Sequence, residues 1–424
     1  MKKLNKLFAI LIAMAMVLSL TVISAFAALP ADKQPADGYL VKYLKVAEGV
    51  AVPEVTSTFE FKFESDSSGR VTTATAAEAI ADQDIVISAT DGNDTQAEDG
   101  NSKWNSKKIS TFLPTYNHAG VYTYTVTEKS ATITNGDATT QKVEEVGTGK
   151  YTMRVYVENE NGTLVVKHIT VATYGSTTDD GKKTIGNEDP TKTDVDEFSF
   201  TNLYTKTNGK DEEDIKPEAG KLGALNVQKS VVDAPTADAS KTFPFTVALT
   251  PAVGHETDTL TAYIWSKGTD GTYTKGTTPY NFVGATPVTD IPLAADDILI
   301  FDKVPAGTRY TATETLANAE AYKYYNPKYE VTSADANAAK SGSEAAGVTL
   351  ATAGDATKNG TYLLTENEDA NKGALIAYTN TYDKAAAEPE GILISNLPYI
   401  ALALVAIGGL VAYVVIRRRN ADEV

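Results

Sequence analysis

The sequence predicts an all-β chain built as two sandwiches in tandem. Three observations lead there. Short runs of strict apolar–polar alternation recur, helical periodicity is weak throughout, and the order of motifs in the first half returns in the second. Tyrosine is abundant at 22 residues, and threonine and valine fill the alternating runs, as half-buried pleated strands favour. The 424 residues suffice for two or three domains. A formal charge of −17 makes the chain a poor partner for nucleic acid or an anionic membrane surface.

Taken in order, the chain begins with Lys2, Lys3 and Lys6, an apolar run from Leu7 to Ile23, and Ser24-Ala25-Phe26-Ala27-Ala28. This is the pattern of a signal peptide over 1–27, cut after Ala27, with Ala28 the second choice and an uncleaved anchor the alternative. Gly38 to Val46 reads as the first strand, with Leu40, Lys42, Leu44 and Val46 on one face. Thr58 to Glu64 alternates phenylalanines with charges, as a half-buried antiparallel strand does. Asp91 to Ser102 is a polar loop. Val121 to Glu128 is the clearest strand, with Tyr122, Tyr124, Val126 and Glu128 together. Tyr151–Val157 and Leu164–Ala172 form a hairpin, and Gly175 to Pro190 is a second polar loop. Phe198 to Tyr204 closes the half and puts Phe198, Phe200, Asn202 and Tyr204 on one face.

Residues 206–221 are charged and short of apolar side chains, and read as a linker between a domain over 28–205 and one over 222–383. The pattern then restarts. Leu225, Val227, Lys229 and Val231 share a face; Phe243 to Leu249 matches the Phe59 strand; Val304 to Glu314 matches the Glu128 strand; Ile376 to Tyr382 places Ile376, Tyr378, Asn380 and Tyr382 together. Ser333 to Ala346 reads as a short helix or a loop.

Each half thus carries a lysine on its first strand, a glutamate on a middle strand and an asparagine on its last, all on apolar faces. Lys42 and Glu128 are 86 positions apart, Lys229 and Glu314 85. Glu128 and Asn202 are 74 apart, Glu314 and Asn380 66, a difference one loop absorbs. Alone, such a lysine snorkels, such a glutamate pairs with it, and such an asparagine bonds to nearby backbone. Repeated in order, the trio points to amide transfer. Burial lowers a lysine pKa and raises a glutamate pKa, so both become neutral near pH 7. The amine attacks the asparagine side-chain carbonyl, the glutamate shuttles protons, and ammonia leaves behind an isopeptide bond. Each domain reacts once, so the chain is not an enzyme. With no cysteine, any covalent bracing needs chemistry other than disulfides.

The motifs Leu40-Val41-Lys42-Tyr43-Leu44, Gly120 to Glu128 and Phe198-Ser199-Phe200-Thr201-Asn202 resemble the streptococcal major-pilin family, the FctA-like backbone pilins. Leu225 to Lys229, Tyr310 to Glu314 and Ile376 to Asn380 resemble that family's second domain. The resemblance implies two immunoglobulin-like domains of the CnaB type. It further implies bonds Lys42–Asn202 and Lys229–Asn380, assisted by Glu128 and Glu314. The partners it implies are a sortase, other copies of the chain, ancillary pilins, peptidoglycan and the host surface. The alternative is an adhesin or anchoring stalk that stays bound to membrane or wall without polymerising.

The tail resembles a sortase sorting signal, with a motif region over 384–391, an apolar transmembrane segment over 392–416 and a basic cytoplasmic end over 417–424. Such signals place Pro-Thr-Gly before the span. Here Pro389-Glu390-Gly391 stands in that place, so the sortase would have to accept glutamate at the threonine position. Leu397 to Ala401 fits less well, and a plain membrane anchor is the alternative. The expected location is the cell surface or wall of a Gram-positive bacterium. The acceptor lysine for polymerisation matches Lys192, with Lys182 and Lys183 behind it. His118, His168 and His255 lack ligand spacing, so no metal and no cofactor is expected. Asp91-Gly92-Asn93-Asp94 lacks the full calcium-loop pattern and reads as a solvated acidic loop.

Overall fold

The structure, a computed structural model, describes residues 38–66, 78–94, 101–147, 149–175, 182–183, 198–315, 322–335, 341–343, 362–387, 402 and 405–406. The signal sequence, most of the apolar tail, Lys192 and Pro389 to Gly391 lie outside these residues. Among the described residues no helix is long and apolar enough to cross a membrane. The chain divides into two compact units, Met1–Thr205 and Lys206–Val424. Both are built from sandwich-like sheets.

In the first unit the strand Tyr39–Val46 lies between two neighbours. It pairs in parallel with Ser199–Gly209 and antiparallel with Lys103–Lys108, which in turn pairs with Gly92–Asn93. The facing sheet runs Gln83–Ile87, Val55–Asp66, Gly120–Ile133, Lys150–Glu160, Thr163–Thr173 and Lys182–Lys183, all antiparallel. Phe59, Phe61, Tyr122, Tyr124, Val126 and Met153 from this sheet pack against Leu40, Phe198 and Phe200 of the other. The alternation in the sequence therefore marks the core faces as expected. The face of Tyr39–Val46 that carries Leu40, Lys42, Leu44 and Val46 is buried throughout; on the other only Val41 is, with Tyr39 and Tyr43 half-buried and Lys45 exposed.

The second unit repeats the plan. Leu225–Val232 pairs in parallel with Ala374–Tyr382 and antiparallel with Ile298–Phe301. Thr259–Lys267 extends the sheet on one side and Tyr325–Thr332 on the other. The facing sheet is Val288–Leu293, Phe243–Thr250, Arg309–Glu314 and Tyr362–Leu363. Phe243, Phe245, Val247 and Leu249 meet Val227, Ile376 and Tyr378 in the core.

Two expectations change. Ser333 to Ala346 holds no helix among its described residues; Ser341–Ser343 is a strand paired with Lys328 to Glu330. The stretch 206–221 is built into the second unit. Thr207 to Gly209 pair with Lys303 to Pro305, Lys206 meets Glu366 at 3.1 Å, and Asn208 donates to the Thr365 carbonyl at 2.6 Å. Ile215 and Leu222 are buried beside Trp265, Ile298 and Ile300. Gly209 has φ 110°, and a Cβ there would sit 2.0 Å from the Asp302 carbonyl oxygen, so only glycine suits.

Asn226 fastens the start of the second unit. It is fully buried, accepts from the Gly223 N–H and donates to the carbonyls of Gly223, Lys372 and Ala374. Asn226→Ala strands these groups away from water. We expect a loss of about 3 kcal/mol, or roughly 10 °C in the second unit's thermal midpoint. Calorimetry showing an unchanged midpoint would contradict this.

Candidate functional site

The register of the parallel pair sets the first part of the site. Lys42 lies beside Phe200 and Leu44 beside Asn202. Asn202 therefore sits two residues further along, on the same face as Lys42. In the second unit Lys229 lies beside Tyr378 and Val231 beside Asn380. The offset is again two residues. A lysine stem is long enough to cover that diagonal step between neighbouring strands.

The glutamates come from the opposite sheet. Glu128 lies opposite Phe59, and the next pair in register is Ser130 with Thr58. Lys129 is thus an extra residue, a bulge directly after Glu128, of the kind that re-aims a side chain. Glu314 lies opposite Phe245, the matching phenylalanine. Each glutamate reaches across the sandwich to the lysine and the asparagine on the facing sheet.

There the three residues meet. Lys42 Nζ donates to Glu128 Oε2 at 3.0 Å, and Asn202 Nδ2 donates to Glu128 Oε1 at 3.0 Å. Lys229 Nζ lies 3.3 and 3.1 Å from the two Glu314 oxygens, and Asn380 Nδ2 donates to Oε1 at 2.7 Å. The side chains are dry: 1% and 4% exposed for Lys42 and Glu128, 0% and 1% for Lys229 and Glu314. Aromatic rings wall the sites. Phe59 packs on Phe200 at 4.9 Å between centroids, Phe245 on Tyr378 at 5.1 Å, and Lys229 Nζ lies 4.3 Å from the Phe243 ring centroid.

Burial sets the electrostatics. It pushes the Lys42 amine down from 10.5 to about 8, against the raising pull of the Glu128 charge, its hydrogen bond and the more distant Glu145. Burial raises the Glu314 carboxyl, opposed by the Lys229 charge and by hydrogen bonds from Asn380 and Lys229. Each shift favours the neutral form of its own group, the amine in the first unit and the acid in the second. The Oδ1 atoms of Asn202 and Asn380 are buried without a hydrogen-bond partner. A half-turn of either amide hands that oxygen to a protonated glutamate. The arrangement can therefore supply a nucleophile, an electrophilic carbonyl and one proton carrier between them.

Other sequence candidates take structural places. Asp91 accepts from the Ser88 N–H and hydroxyl and from Asn105. The Lys103 ammonium binds the Asp91 carbonyl at 3.3 Å and Asn93 Oδ1 at 2.6 Å, supplying this loop with its own cation. His118 lies 3.0 Å from Asp66, His168 stacks on Tyr156, and His255 lies 2.7 Å from Asp258. Among the described residues no group of three or more His, Cys, Asp or Glu could hold a metal ion. Phe59 and Phe245 border the two sites, where sequence reading took them only for core. Their signal was the shared position of the two phenylalanine strands.

A family model described as a domain of unknown function (DUF7601) matches residues 223–349. No curated protein matches the chain. Among solved structures, a major pilin of Streptococcus pyogenes is similar at 18% identity, over 82% of this chain and 98% of that one, with a TM-score of 0.29. A second major pilin of the same organism, T-13, gives 17% identity, 82% and 97% coverage and 0.28. A pilus-presented adhesin gives 10%, 81%, 100% and 0.20. All three likenesses are weak by both measures.

Asn202→Ala leaves Lys42 as a buried amine without its amide neighbour. Below pH 8 the folded state must charge it in a dry site, and above 10.5 neither state carries the proton. Between these values the unfolded chain binds more protons, so stability rises with pH, by up to ~3 kcal/mol. Denaturant titrations across this range should show the rise in Asn202→Ala and lose it when Lys42→Met is added. A flat profile in Asn202→Ala would contradict the depressed amine.

Proposed function

We propose that the chain is a structural subunit of a Gram-positive surface pilus, each unit closed by an internal Lys–Asn isopeptide bond. The observation that carries this reading is the doubled constellation. In both units a lysine and an asparagine, offset by two residues on parallel neighbouring strands, converge on one buried glutamate.

The chemistry balances within each site. Lys42 passes a proton to Glu128 and becomes a neutral amine. The acid donates a hydrogen bond to the Asn202 carbonyl oxygen while Nζ attacks Cγ. The Nζ–Cγ bond forms and the Cγ–Nδ2 bond breaks. One proton from the ammonium and one from the attacking amine pass through Glu128 to Nδ2, which leaves as ammonium, and the new amide keeps one N–H. Lys229, Glu314 and Asn380 act in the same way. Each unit reacts once, and Glu128 and Glu314 end as they began.

Position gives the bonds their use. Each ties the first strand of a unit to its last, so tension runs through a covalent link between adjacent strands. In the chain-entropy treatment used for disulfides, closing a loop of this length stabilises by about 5 kcal/mol. That suits a filament subunit under shear. The sorting pattern at Pro389, Glu390 and Gly391, with Lys192 as acceptor, supports sortase-linked polymerisation or wall anchoring on the residues alone.

Intact mass of the chain from Ala28 to Glu390 tests the cross-links. We expect a deficit of two ammonia masses, one restored by Lys42→Ala or Asn202→Ala and the other by Lys229→Ala or Asn380→Ala. The unmodified mass in the unsubstituted chain would sink the reading. Wall extracts should in addition give a ladder of boiling-resistant multimers; a single band that binds host matrix would favour the adhesin alternative.

A further inference from the structure

The first unit has a third acid beside its site. Strand Lys150–Glu160 runs antiparallel to Gly120–Ile133, with Lys150 opposite Thr127. Continued by one residue beyond that last pair, the register sets Gly149 across from Glu128. Opposed residues on antiparallel strands point to the same face with Cβ atoms about 5 Å apart. Gly149 has no side chain, and the Glu145 carboxylate lies where one would be. A Cβ on Gly149 would sit 2.0 Å from Glu145 Oε1 and 2.6 Å from its Cδ. Glu145, carried by the strand Gln141–Val146, therefore fills the side-chain position facing Glu128.

The electrostatics agree with this placement. Partial burial raises the Glu145 carboxyl, the Glu128 charge raises it further, and Lys42 lowers it by less. On Glu145 the Glu128 charge outweighs that of Lys42, and Glu145 in turn raises the Lys42 amine less than Glu128 does. A negative charge so placed disfavours the Lys42–Glu128 ion pair relative to the neutral pair. In the second unit the charge acting on Glu314 is that of Lys229, which lies over the Phe243 ring, a contact that favours the ammonium.

We propose that Glu145 is a positioning residue for cross-linking in the first unit, its charge opposite Glu128 driving the Lys42 proton onto Glu128. The inference rests on the amide-transfer reading above. Glu145 exchanges no proton and forms no bond in the step. Its contribution acts through space, and because the residue is exposed, salt screens it.

The test follows bond closure in the full chain made by cell-free translation. Samples are quenched over time, digested, and scored for branched against linear peptides in each unit. Glu145→Gln should slow closure in the first unit by about three- to tenfold at low salt and leave the second unit unchanged. Gly149→Ala keeps the charge but displaces the carboxylate, and its backbone is outside the left-handed region, so alanine is tolerated. It should slow the first unit likewise. Raising salt should slow the unsubstituted first unit and leave Glu145→Gln insensitive. Unchanged first-unit rates in both variants, equal slowing of both units, or closure indifferent to salt would overturn the proposal. Branched peptides absent from both units of the unsubstituted chain would overturn the amide-transfer reading as well.

Discussion

A lysine, a carboxylate and an amide brought together in a dry sandwich core is the constraint on which this chain is built. Removing such charges from water costs several kcal/mol per ion, and their mutual attraction repays it only with good geometry. An apolar core of the same volume would be at least as stable. The chain nevertheless builds the arrangement twice. Burial of this kind makes sense when it adjusts reactivity: it depresses the Lys42 amine in the first unit and raises the Glu314 carboxyl in the second.

The rest of each unit serves that meeting. The first and last strands must be parallel neighbours, since only then do the lysine and asparagine share a face two residues apart. The glutamate must come from the opposite sheet, which requires a sandwich closed tightly enough for a side chain to cross it. In the first unit the Lys129 bulge helps to aim Glu128. Aromatic side chains supply the dry wall, so the same residues hold the sheets together and set the electrostatics. Stability and chemistry are thus inseparable here: loosening the core admits water and weakens both shifts.

Much of this was legible in the sequence because burial and alternation coincide. Phe59, Tyr122, Tyr124 and Phe200 mark core faces by period two, and Lys42, Glu128 and Asn202 stand out as polar intruders on those faces. Two of the strands that escaped notice lack that contrast, whereas Tyr325–Thr332 alternates cleanly and went unread all the same. Lys103–Lys108 has no apolar alternation, and its side chains are half-buried or exposed. Ile298–Phe301 is buried on every residue, so it shows no period at all. The fastening of 206–221 to the second unit was hidden because it rests on side chain to carbonyl bonds and two isolated apolar residues, Ile215 and Leu222. Glu145 was invisible because it acts by filling the gap left by a glycine, a relation that depends on register rather than on either residue's type.

Under the proposed function the chain is a pair of self-clasping units, each carrying load through a covalent link between its first and last strands. The clasp is the central claim, and peptide mapping of the mature chain reaches it most directly. We predict two branched peptides, one joining the segments around Lys42 and Asn202 and one joining those around Lys229 and Asn380. Each should be lighter than its two linear parts together by one ammonia beyond simple addition. Recovery of only linear peptides, with all four residues unmodified, would contradict the account.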